Sequence, residues 1–209
     1  MESHSVEHFY DILCWNVMGK TDAGLPNSRK TLMDKYFKQL QTKADIIFLQ
    51  ELPWKPTKLT GSGGHVPSLS SDYDYSSYSQ EKPNSRYNCV IFSTKKFEKI
   101  KDLQADVLKE ITSLKPEYMQ DIISQPSQVS TRETDPTQRR ENLWSEMVED
   151  MGKRVCVVIL REKEGNHEFI AASLHRFSRN VGNCTPFELA KLFCKTLAKL
   201  GDSRKLPIF

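Results

Sequence analysis

Nowhere in the 209 residues is there an apolar run approaching the length of a membrane span, which takes about 20 residues. The opening MESHSVEHFYDI also lacks the basic stretch and apolar core of an export signal. The expectation is therefore an intracellular chain, cytoplasmic or nuclear, with no membrane span. Cysteine is sparse: Cys14, Cys89, Cys156, Cys184 and Cys194 are odd in number and scattered, which fits neither a disulfide framework nor a zinc site. The Asn183-Cys184-Thr185 match to a glycosylation signal carries no weight without an export signal. Charge of one sign is lacking too. Thirty Lys and Arg against 27 Asp and Glu leave a formal +3, compatible with a phosphate-bearing substrate but well short of a charge-driven nucleic-acid binder. There is no internal repeat and no linker between separate cores, so residues 1–209 read as one domain.

What is present is an alternation of short apolar runs and helical patterns. HFYDILCWN is a strand that closes on Asn16, and a Gly, Pro and Asn-rich loop follows. Leu32, Met33, Tyr36, Phe37 and Leu40 recur at helical spacing, predicting an amphipathic helix over 29–43. Residues 44–51 form a second strand, apolar enough in its middle to be covered on both faces. Residues 52–86 are rich in Pro, Gly, Ser and Tyr without a sustained period and read as loop, followed by a strand at 86–93. Ile100, Leu103, Val107, Leu108, Ile111 and Leu114 predict a helix that opens an insertion at about 102–152, polar in its middle. KRVCVVILRE and HEFIAASLH are expected to pair antiparallel around the turn KEGN. Thr185, Pro186 and Glu188 make a capping box for a helix with Gly201 as its stop. KLPIF then begins another apolar strand.

Asn16, Glu51 and His175 share a place in this pattern, each at the end of an apolar strand, where a packed scaffold hands a side chain to the rim. Strands flanking a crossover helix can run parallel, which brings Asn16 and Glu51 out at one sheet edge. A Glu beside an amide suits Mg²⁺, which is commonly held by one or two carboxylates and completes its shell with water and substrate phosphate. A histidine nearby can contact a phosphate oxygen or offset charge developing on phosphorus. Taken singly, each residue is more ordinarily a solvated strand end, and Lys55, Lys58, Arg176 and Arg179 near this rim read as ordinary surface charge before they read as phosphate contacts.

The segments ILCWNVMG and ADIIFLQE, joined by a helix with Arg29 near its start, resemble the opening signature of the endonuclease/exonuclease/phosphatase superfamily. YNCVIFSTKKFE, RVCVVILRE and FIAASLHRF resemble its next strands, and the likeness runs from Phe9 to Phe209 apart from the insertion. It implies an α/β fold, a four-layer α/β sandwich incomplete at the C-terminus, and Mg²⁺-dependent hydrolysis of phosphoester bonds, with Mn²⁺ as a substitute. Family substrates include DNA, RNA, inositol phosphates and sphingomyelin. Carried over, Glu51 resembles the metal-binding glutamate, Asn16 the asparagine beside it, and His175 the residue that meets the scissile phosphate.

Two family features are missing: the G-D-x-N signature, whose strand KLPIF would begin, and the terminal D-H pair. In the family these orient the attacking water and complete the acid-base set, each such contribution being worth about 10² to 10⁴ in rate. The chain as written is thus expected to be a nearly inactive N-terminal portion of a phosphodiesterase or nuclease. The alternative is a non-catalytic binding protein on the same scaffold, and a third reading is an endonuclease domain derived from a mobile element. The partner expected is a phosphoester, with nucleic acid among the choices; substrate and oligomeric state are not legible.

Overall fold

In a computed structural model, residues 10–17, 27–52, 57–58, 68–78, 87–115, 136–175 and 185–209 are described. The first strand, β1 (Ile12–Asn16), leads through α1 (Asn27–Leu40) to β2 (Ile46–Leu52). These two strands run parallel, with Ile12 beside Ile46 and Asn16 beside Gln50. A minor parallel pair, β3 (Thr57–Lys58) with β4 (Ser68–Leu69), precedes β5 (Tyr73–Tyr78) and β6 (Tyr87–Ser93). The larger sheet has the order β1-β2-β6-β5. A second sheet, β7-β8-β9, is antiparallel and consists of β7 (Phe97–Asp102), β8 (Val155–Glu162) and β9 (Glu168–Leu174). Between β7 and β8 lie α2 (Gln104–Ser113) and α3 (Pro136–Arg154), and α4 (Pro186–Arg204) follows β9. The fold is mixed α/β. No described helix is long and apolar enough to cross a membrane.

Side-chain alternation along the strands divides the interior into three clusters. On one face of the larger sheet, Ile47, Leu49, Cys89 and Ile91 pack with Phe37 of α1, and Leu13, Trp15 and Val17 lean against them. From the opposite face, Ile46, Phe48, Val90 and Phe92 meet Cys156, Val158, Leu160, Phe169 and Ala171 of the second sheet. The other face of that second sheet, through Val155, Val157, Ile159 and Ile170, packs against all three of α2, α3 and α4. β2 and β8 are buried along nearly their whole length, which is why both read as continuous apolar runs.

Several expectations need correction. The stretch read as loop contains β5, whose Tyr73 and Ser76 are buried and whose six residues pair with β6. Its Ser and Asp positions mask the alternation. The helix expected to begin near Ile100 begins at Gln104, because Ile100 belongs to β7, an edge strand with only Phe97 buried. Gly201 does not stop the last helix. The helix continues to Arg204 and ends on Lys205 in the left-handed region, with φ 55°. A Cβ on Gly201 would come within 2.9 Å of Ile208 Cδ1 and 3.0 Å of the Leu206 carbonyl oxygen, so this glycine permits a close return of the chain.

Other readings hold. Thr185 and Glu188 form the capping box, and β8 and β9 pair antiparallel around a turn with Asn166 at φ 55°. KLPIF, expected to begin a strand, makes only an isolated parallel bridge from Ile208 to Ile170. The polar middle of the insertion, Cys184 and Trp54 lie outside the described residues. None of the four described cysteines is in a disulfide.

Candidate functional site

Strict alternation along β2 would put Glu51 on the wrong face. Ile47 and Leu49 point toward α1, and Glu51 should follow them. Yet Leu52 also joins the α1-facing cluster, three residues after Leu49. A β-bulge reconciles the two. Leu49 pairs with Cys89 and Leu52 with Tyr87, so Gln50 and Glu51 together oppose Asn88. Within the bulge Glu51 has φ 56°, a left-handed conformation that costs a non-glycine residue about 1 to 2 kcal/mol. Strain of this kind persists only where surrounding structure over-determines it, and its effect is to turn Glu51 off the α1 side.

His175 comes from the second sheet. Phe169 and Ala171 face the larger sheet, and Ser173 and His175 continue that face by period two. The imidazole Nε2 lies 2.6 Å from Oε1 of Glu51, with each side chain less than one-fifth exposed. Thus the bulge of one sheet and the end of a strand of the other converge on a single contact.

The far side of the imidazole meets a residue that strand-end reasoning missed. Arg154 Nη1 lies 3.2 Å from His175 Nδ1. A guanidinium has donors only, so Nδ1 accepts, the ring proton sits on Nε2, and Nε2–H donates to Glu51. Asp150 in turn accepts from Arg154 Nε at 2.8 Å. Sequence could not flag Arg154, the last residue of a helix whose adjacency to His175 comes from the β8–β9 register. The bulge did leave a trace, since apolar residues three apart in Leu49-Gln50-Glu51-Leu52 break the period of a strand.

Asn16 ends β1 beside Gln50, on the face shared by Ile46 and Phe48, and is exposed. The neighbouring Gln50 is buried and donates from Nε2 to Cys14 Sγ at 3.1 Å, while its carbonyl accepts from Val17 N at 3.0 Å. Gln50 therefore ties β1 to β2. Of the basic residues near the rim, Lys55, Arg176 and Arg179 lie outside the described residues, as does the side chain of Lys58.

The donors at this rim are hard oxygens, the class that Mg²⁺ and Mn²⁺ prefer. A carboxylate has two oxygens with about four lone-pair sites, so the bond to Oε1 is compatible with metal ligation by the same group. Among the described residues no group of three or more His, Cys, Asp and Glu could hold a metal ion.

No family model matches the sequence, and no curated protein does. Among solved structures, the catalytic domain of human Nocturnin with a bound sulfate anion aligns with a TM-score of 0.49 and 12% identity, covering 93% of this chain. The chain spans 59% of the length of that solved chain.

Proposed function

We propose that this chain carries the metal- and phosphate-binding half of a Mg²⁺-dependent phosphoester hydrolase of nuclease type, with Glu51 and Asn16 as metal ligands and His175 as phosphate contact. The carrying observation is the Glu51–His175 contact, made across two sheets and only by way of a strained bulge. A wet strand end needs neither strain nor a partner from another sheet. We also read the three interior clusters as the interlayers of a four-layer sandwich, with α1 outside one sheet and α2, α3 and α4 outside the other.

In this reading Glu51 and Asn16 would hold Mg²⁺, which when bound polarises a phosphoryl oxygen and offsets the charge that develops on it. The protein's own part is orientation. His175 presents Nε2–H at the rim, where a phosphate oxygen can share or compete for the donor that Glu51 now receives.

The test is hydrolysis of bis-p-nitrophenyl phosphate and of single-stranded RNA and DNA with Mg²⁺, against a Glu51→Ala control. Turnover no higher than the control, together with unchanged Mg²⁺ binding in the control, sinks the proposal. The second reading is a non-catalytic binding protein on this scaffold. Calorimetric Mg²⁺ titration separates the two, because loss of binding in Glu51→Ala is not expected of a pure scaffold.

A further inference from the structure

We propose that Arg154 is a positioning residue for His175, backed by Asp150, and that it sets which imidazole edge faces the rim. The inference rests on the proposed phosphate-binding role of His175 and deepens it. Three features hold Arg154 in place before its side chain acts. Helix α3 passes into β8 without a loop, so the carbonyls of its last turn need partners from elsewhere. Gln104 Nε2 donates to the Gly152 carbonyl at 2.9 Å, Asn88 Nδ2 to that of Lys153 at 3.1 Å, and the His175 amide to that of Arg154 at 2.7 Å. The backbone of Arg154 is thus fixed against α2, β6 and the end of β9 at once.

Its side chain is equally constrained. Asp150, one turn back on the same helix, takes Nε at 2.8 Å, and Nη1 is left to meet His175 Nδ1 at 3.2 Å. The Arg154 side chain is 16% exposed and that of His175 17%. A planar fork held at one edge by a carboxylate presents its other donors in a set direction. The outcome is an imidazole whose Nδ1 is committed inward and whose Nε2–H is the edge offered to Glu51 or to a phosphate oxygen. Asn88 stands opposite the Glu51 bulge in the strand register, and its side chain holds α3.

The decisive readout is the ring itself. In ¹⁵N-labelled protein, long-range proton–nitrogen correlations report the tautomer of each of the five histidines, and His175→Gln assigns the resonance. The wild-type chain should show His175 with an unprotonated Nδ1 and a downfield, slowly exchanging Nε2–H. Arg154→Met should lose that proton signal and shift Nδ1, while Arg154→Lys, which keeps a donor, should retain the pattern. An unchanged pattern in a folded Arg154→Met chain overturns the proposal. Should Arg154→Met fail to fold, Asp150→Asn reads the same signal, and an unbroadened Nε2–H there overturns it equally. None of these readouts needs turnover. A changed ring pattern in Arg154→Met, with no hydrolysis by wild type and Mg²⁺ binding unchanged in Glu51→Ala, defeats the phosphohydrolase reading and leaves the positioning role standing, whereas loss of Mg²⁺ binding in Glu51→Ala with an unaltered ring in Arg154→Met defeats the positioning role alone.

Discussion

Asp45 and Glu51 stand at opposite ends of β2, and the chain treats the two carboxylates differently. Asp45 Oδ2 accepts from the Asp11 amide at 3.0 Å and from Lys96 Nζ at 2.7 Å. Its backbone is also engaged, the amide donating to the Asp11 carbonyl at 2.7 Å and the carbonyl accepting from Ser93 at 2.8 Å. It clasps three segments without backbone strain. Glu51 has a left-handed backbone, a bulge and a histidine from another sheet. Two acidic residues bounding one strand thus divide into a fastening and a candidate ligand, and the difference lies in strain and in the partner's chemistry rather than in burial.

That contrast can be broken from either end. The largest effect expected is on metal. Loss of even a supporting contact commonly costs 10- to 100-fold in metal affinity, so Glu51→Ala should weaken Mg²⁺ binding by about 100-fold or more, while Asp45→Ala leaves it unchanged in the same titration. Next is stability: Asp45→Ala removes an acceptor from a backbone amide and an ammonium and should cost about 2 kcal/mol in urea unfolding. A smaller and more discriminating effect concerns the bulge. Glycine accepts φ 56° without a Cβ penalty, so Glu51→Gly should be about 1 kcal/mol more stable than Glu51→Ala, the reverse of the usual order inside a strand. Equal stability would mean the strain is absent.

The smallest effect is on pH dependence. Burial first, then the hydrogen bond and charge of Glu162, with Asp45 among the lesser contributors, push the Tyr10 hydroxyl up to about 12 from 10.0. A folded value above the unfolded one means that this contribution is complete below pH 10 and is lost as pH rises toward 12. Tyr10→Phe should flatten the fall in unfolding free energy across that interval, and Glu51→Gln should leave it unaltered.

How much of this was legible beforehand depends on what each strand touches. β2 and β8 contact protein on both faces and announce themselves as apolar runs. β7 exposes all but Phe97, and β5 alternates Tyr with Ser and Asp, so neither carries a period that sequence alone can separate from a turn or a helix. The same holds at the site. Asn16, Glu51 and His175 were marked by ending apolar runs, a signal internal to each strand, and the structure brings Glu51 and His175 together. Asp150 and Arg154 belong to a helix whose sequence is unremarkable, and only the pairing of Val155 with Leu174 carries them to His175.

The short return of residues 207–209 along β9 has a consequence for hydrogen exchange. Ile170 N donates to the Pro207 carbonyl at 2.8 Å, Phe209 N to that of Ile170 at 2.8 Å, and Ala172 N to that of Phe209 at 3.0 Å. Phe209 also sets its ring edge-on to Phe169, with centroids 5.1 Å apart. The amides of Ile170 and Ala172, which would otherwise lie on the open border of the sheet, should therefore exchange with deuterium as slowly as those of an interior strand. A synchronous rise in their rates would time the moment at which three residues let go, a local opening separable from the unfolding of the sheet beneath.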